Sequence, residues 1–167
     1  MKNRLIILEA DIRKELEDLE KIFKEFEKEV TPFFEKEINE IRNFDKLAIG
    51  GYLHGFYNGA ENIFKRIAKF FENNITSSMY HSELLKRMNI EIKGVRPRVI
   101  NEELFVLLND LKGFRHMYRH SYSFDLDWEK EKITAKRVPM IFSKLKEQIN
   151  SFLYKLKTIV LKEKDDE

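Results

Sequence analysis

Apolar residues recur along most of this chain in steps of three and four, the spacing of one helix face rather than of alternating strands. The first run is Ile12, Leu16, Leu19, Phe23, Phe26, Val30 and Phe33, with charged residues on the remaining faces. It predicts a long amphipathic helix packed into a core, because the stripe lasts only about three heptads and a coiled coil needs a longer one. Thr31-Pro32 interrupts it, so the proline either kinks the helix or, with Thr31 as cap, opens another. A second run, Leu53, Phe56, Ala60, Ile63, Phe64 and Ile67, predicts a helix over 45–72. Inside it Gly51, Gly55 and Gly59 fall in steps of four. Each costs roughly 1 kcal/mol against alanine in a helix interior, so the line implies another backbone passing close, in the core or between subunits.

Residues 73–78 read as a loop, 80–88 as a short helix, and the stretch with Gly94 and Pro97 as a second connector. Asn101-Glu102-Glu103 is a helix start, with asparagine as cap and two acids in the first turn. That helix carries Leu104, Leu107, Leu111, Phe114 and Tyr118 on its core side and frays at Ser121-Tyr122-Ser123. A last helix is expected to begin near Pro139 and to bury Phe142, Leu145, Ile149, Phe152, Leu156 and Ile159. The pattern predicts one all-α domain over 1–161, an antiparallel bundle of about five to six helices, and a charged, disordered tail over 162–167.

Composition sharpens this picture at a few points. A charged fraction of 36% beside 43% hydrophobic residues suits helices with one apolar and one charged face. No cysteine is present, which removes disulfides, thiol catalysis and cysteine-bound zinc, and fits a reducing cytoplasm. The start is interrupted too early by Glu9 and Asp11 for a signal peptide, and no run approaches the length of a membrane span, so a soluble cytoplasmic protein is expected. The net charge of +2 is uninformative, but its distribution is not. Residues 1–30 carry seven Lys/Arg against nine Asp/Glu, whereas 86–120 carry eight against four. An anionic partner should prefer the second region.

That region ends in Leu111-Lys112-Gly113-Phe114-Arg115-His116-Met117-Tyr118-Arg119-His120-Ser121-Tyr122, with three cations, two of the four histidines and no acid. Arginine offers a planar fork of donors that suits phosphate, and histidine can take up and return a proton at neutral pH. Cleavage of RNA by its own 2′-hydroxyl needs those two services and no metal. On a regular helix, however, positions five apart sit about 140° apart, so Arg115 and His120 cannot easily reach one phosphate. Either the helix ends before His120 or two chains share a cleft. Asp125 and Asp127 lack a third ligand and make no metal site. Trp128 is expected in the core or an interface, with base stacking as the alternative, and His54 and His81 as packed or surface residues.

The Arg115-x4-His120-x-Tyr122 pattern resembles that of HepT-like toxins of the HEPN superfamily. The likeness extends to the glycine-bearing block Gly51 to Phe64, to His81 to Met88 and to Arg96 to Ile100, so it covers about residues 45–130; Tyr80 stands where tryptophan is expected. The resemblance implies a bundle of HEPN type and a metal-independent endoribonuclease without cofactor. It further implies a toxin whose partner is a minimal nucleotidyltransferase (MNT) antitoxin, with Arg115 and His120 catalytic at a homodimer cleft. His116 would support the site, Lys112 and Arg119 would bind RNA, and Tyr122 aligns with a tyrosine that such antitoxins modify with AMP. Glu61 would either hydrogen-bond an active-site histidine or form a surface ion pair with Lys65. A catalytically silent HEPN domain that binds a nucleotide or a partner is the alternative function.

Overall fold

The computed structural model describes residues 2–72, 77–122 and 125–162. They form five helices: α1 (Lys2–Val30), α2 (Asn43–Phe71), α3 (Ser77–Met88), α4 (Glu102–His120) and α5 (Trp128–Lys162). Two 3-10 turns, Thr31–Glu35 and Ile38–Glu40, join α1 to α2, and the described residues hold no strand beyond a single bridge between Ile92 and Arg96. No helix among them is long and apolar enough to cross a membrane.

The stripe on α1 is buried as its spacing predicts, with Ile12, Leu16, Leu19, Phe26 and Val30 in the core and Phe23 stacked on Phe142 of α5. Pro32 ends the helix and sits at the start of the first 3-10 turn, so Phe33 leaves the stripe and is only partly buried. Val30, not Thr31, precedes that turn, and no side chain caps it. Helix α2 begins two residues before the expected Asp45. The reason is local: the Asp45 carboxylate accepts from the Arg42 backbone N–H at 3.0 Å and from its guanidinium at 2.9 and 2.7 Å, closing the helix start into a box.

Ion pairs and ring contacts set the directions. Arg66 of α2 reaches Asp11 and Glu15 of α1, while Gly59 lies on Leu19, so α1 and α2 run antiparallel. Glu103–Lys144 and Asp110–Arg137 do the same for α4 and α5, and Glu9–Lys157 with Glu20–Lys146 for α1 and α5. The outcome is the all-α bundle expected from the sequence. Beneath it, Arg96 is buried and fastens the connector by hydrogen bonds to Glu72 and to the carbonyls of Arg87, Ile90 and Pro97.

Several expectations need correction. Helix α5 starts at Trp128 rather than near Pro139, which lies inside it. Asp127 caps this earlier start, its Oδ1 accepting from the Glu129 N–H at 3.0 Å. Proline removes a hydrogen bond and crowds the carbonyl four residues back, but Trp128, Ala135, Val138, Ile141 and Phe142 are all buried, and that packing carries the helix through. The core side of α4 contains Leu108, with Leu107 only partly buried. Among the described residues the glycine line does not face one neighbour: a Cβ on Gly59 would meet Leu19, one on Gly51 only the Tyr118 hydroxyl at 3.7 Å, and one on Gly55 nothing within 4 Å. Steps of four advance about 400° around the axis, so the line drifts by about 40° at each glycine and leaves any single neighbour. Residues 77 and 78 are helical rather than loop, and so is Lys162. The expectations for residues 73–76, for Ser123 and for the tail over 163–167 lie outside the described residues, as do those for the side chains of Tyr80, His81 and Ile159.

Candidate functional site

Helix α2 crosses the bundle antiparallel to α4, so the order of contacts is Glu61 and Tyr57 with Arg115, then His54 and Gly50 with Tyr118. These α2 positions follow the spacing of a single face. Gly50 is what lets α4 come so close. A Cβ there would collide with the Tyr118 ring, and the Tyr118 hydroxyl donates to the Leu47 carbonyl at 3.0 Å.

Arg115 is the best-held residue of the basic stretch. Its side chain is 16% exposed, its guanidinium lies 5.3 Å above the centre of the Tyr57 ring, and its Nη1 stands 3.5 Å from Oε1 of Glu61. Glu61 itself is only 5% exposed, and its other oxygen accepts from Lys65 at 2.7 Å. The Lys65 pair expected from sequence is thus present, with its carboxylate buried and its lysine partly exposed, and the second partner of Glu61 is the arginine rather than a histidine. A ring face and a carboxylate together fix the plane and the charge of the guanidinium. The Arg115 Nε is buried with no acceptor among the described residues. Burial, reinforced by the Glu61 charge, pushes the Tyr57 hydroxyl far above the usual phenol range, so that ring stays neutral under Arg115.

The histidines of the motif lie elsewhere. Helix α4 continues through His120 and ends at Ser121, whose φ of −98° and ψ of 148° are extended. His120 therefore stays about 140° around the axis from Arg115, and no hydrogen bond joins the two among the described residues. His116 and His120, one turn apart, are both exposed, with ring centres 4.8 Å apart. Arg119 is exposed on the side of Arg115, and Lys112 is partly buried. Tyr122 is off the helix and 71% exposed, so it does not continue the Arg115 face. Asp125 holds the turn it sits in by accepting from the Tyr122 N–H at 3.3 Å and donating its own N–H to the Tyr122 carbonyl. Trp128 is 1% exposed, which rules out base stacking for it in this fold.

Five neighbours of the motif were not singled out for function by sequence. Tyr57 and Gly50 position Arg115 and Tyr118, while Asn58 donates from Nδ2 to His54 Nε2 at 2.9 Å. His54 is held below the usual imidazole range, first by burial and then by Arg115 and Arg119, with Glu61 opposing. Glu131 is 1% exposed, next to Gly50, and neither of its oxygens has a hydrogen-bond partner among the described residues. Burial raises its carboxyl to about 8, with the charge of Lys46 opposing. A face of polar residues at 54, 57, 58 and 61 was the signal available for three of these positions; for Glu131 the sequence held none.

All of these residues fall within one segment of family likeness. A family of HepT-like proteins matches residues 48–156, from the first turns of α2 to near the end of α5, and leaves α1 outside. Comparison with curated proteins and with solved structures returned no match. A family match over well more than half of the chain, on an all-α bundle with the expected order of helices, shows that the chain belongs to the HepT-like family of HEPN proteins.

Proposed function

We propose that the protein is a metal-independent endoribonuclease that acts in the cytoplasm as the toxin of a toxin–antitoxin module, with an MNT-type nucleotidyltransferase as its antitoxin. The observation that carries the reading is the fixed guanidinium of Arg115, clamped by Tyr57 and Glu61 on the same helix that presents His120 to solvent. A charged donor fork that is already oriented costs little to reorganise when charge builds on a phosphate. Membership in a family whose members are typically ribonuclease toxins supports the same conclusion.

In this reading the imidazole of His120 takes the proton from a 2′-hydroxyl. The oxygen attacks phosphorus, the bond to the 5′-oxygen breaks, and the imidazolium returns the proton to that leaving oxygen. The products are a 2′,3′-cyclic phosphate and a 5′-hydroxyl. Arg115 stabilises the charge on the phosphate, His116 orients its neighbour His120, and Lys112 and Arg119 hold the flanking backbone. The separation of Arg115 from His120 around one helix makes a two-fold cleft the natural assembly, each chain lending one group. Tyr122, exposed two residues after His120, is the acceptor for AMP that the antitoxin transfers from ATP with release of pyrophosphate, and the bulk and charge of the adduct would close the cleft.

The test is incubation of the purified protein with total RNA in EDTA, with mapping of product ends. Cyclic phosphate ends that disappear in His120→Ala and Arg115→Ala support the reading. An inert wild type points instead to a silent domain that binds a nucleotide or partner, a reading favoured by the pairing of Arg115 within its own chain.

A further inference from the structure

One polar pair beside Arg115 has no part in that scheme. His54 and Asn58 lie one turn apart on α2, and an amide NH2 can only donate, so the 2.9 Å contact makes His54 Nε2 the acceptor. The imidazole is therefore neutral with its proton on Nδ1. That nitrogen is buried without a partner among the described residues, and the ring rests against Tyr118 with centres 5.9 Å apart. The partly buried, neutral His54 carries no charge; what it does is hold one end of the Asn58 amide. The other end, Oδ1, accepts no hydrogen bond from any described residue, and Asn58 is only partly buried. On the helix, Asn58 points to the side shared with Lys65 and with Gly55, where no neighbour comes within 4 Å. It stands one position from Tyr57, over whose ring Arg115 lies.

We infer that Asn58 is a substrate-contacting residue, its carbonyl oxygen accepting a hydrogen bond from a donor on the RNA, and that His54 is the positioning residue that aims it. This rests on the RNA-cleaving reading of the site. Two kinds of donor on RNA fit one neutral acceptor, a ribose 2′-hydroxyl and a base-edge N–H, whether exocyclic amine or ring imino. The arrangement differs from a phosphate contact, which needs a donor rather than an acceptor. Loss of one neutral hydrogen bond corresponds to about threefold to tenfold in affinity.

The experiment measures binding of a short single-stranded RNA of mixed sequence, and of its DNA counterpart, to the His120→Ala protein, so that cleavage does not intrude. Asn58→Ala and His54→Phe are added singly, and the melting temperature of each is recorded. Cut-site base preferences are mapped in parallel with His120 restored. RNA affinity that falls threefold to tenfold in both variants while DNA affinity is unchanged assigns the 2′-hydroxyl as donor. Equal losses on RNA and DNA with an altered base at the cut site assign a base-edge N–H. Unchanged affinity and unchanged cut sites in well-folded Asn58→Ala overturn the inference, and so does a parent protein that binds no RNA. A wild type that binds RNA but does not cut it defeats the nuclease reading alone, and the binding comparison still decides the role of Asn58.

Discussion

Glu61 Oε1 stands 3.5 Å from Arg115 Nη1 across the α2–α4 contact, joining residues 54 apart in sequence into one buried ion pair. Lys65 shares the same carboxylate. The arrangement gives Glu61 a positioning role toward the guanidinium. Glu61→Gln keeps the shape and removes the charge, and it is expected to lower kcat/KM on RNA about tenfold, with a smaller effect on unfolding free energy. Steady-state cleavage beside a urea titration checks this; an unchanged kcat/KM would reduce the pair to a structural role.

The two exposed histidines should separate by activity and not by stability. His120→Ala is expected to lower cleavage by at least about a hundredfold, and His116→Ala by about tenfold or less. Neither side chain is buried, so melting temperatures should stay within a degree or two of wild type. Comparable losses in the two variants would contradict the assignment of His120 as the proton carrier.

Glu131 predicts a pH dependence of stability. Burial holds its carboxyl at about 8 in the folded chain, above the ordinary carboxylate value of 4.5, so the folded chain binds this proton more tightly than the unfolded one. The stabilisation is complete below about pH 4.5, declines as the pH rises toward 8, and is gone above that. Glu131→Gln should remove this slope and leave the protein more stable than wild type at pH 8, by roughly 2–4 kcal/mol. Denaturant titrations at pH 5 and pH 8 measure it, and parallel curves for the two proteins would show that the carboxyl is not buried in solution.

The glycines of α2 offer a contrast. Gly50→Ala would drive a methyl into the Tyr118 ring and is expected to cost about 1–3 kcal/mol. Gly55→Ala meets nothing within 4 Å and should stabilise the single chain by about 0.5–1 kcal/mol. Thermal melts of both variants decide the matter. If Gly55→Ala also lowers cleavage and weakens dimerisation, a second chain packs on that face.

Much of this protein was legible in its amino-acid order. The stripes on α1 and α2 identified buried faces, and the Asn101 cap, whose Oδ1 accepts from the Leu104 N–H at 2.9 Å, marked the start of α4. Those features depend on neighbours within one or two turns, which spacing records directly. The order of the blocks around Arg115 and His120 likewise placed the chain in its family. Other features waited on the tertiary structure. The persistence of α5 through Pro139 was decided by packing of Trp128, Ala135 and Val138, which outweighs the local cost of proline. Which glycine admits a neighbour, which partner Glu61 takes, and that a carboxyl as polar as Glu131 is buried all depend on where α2 meets α4 and α5. Helix periodicity gives the angle at which a residue leaves its own axis but not the identity of what faces it, because that contact joins segments whose separation along the chain carries no fixed phase.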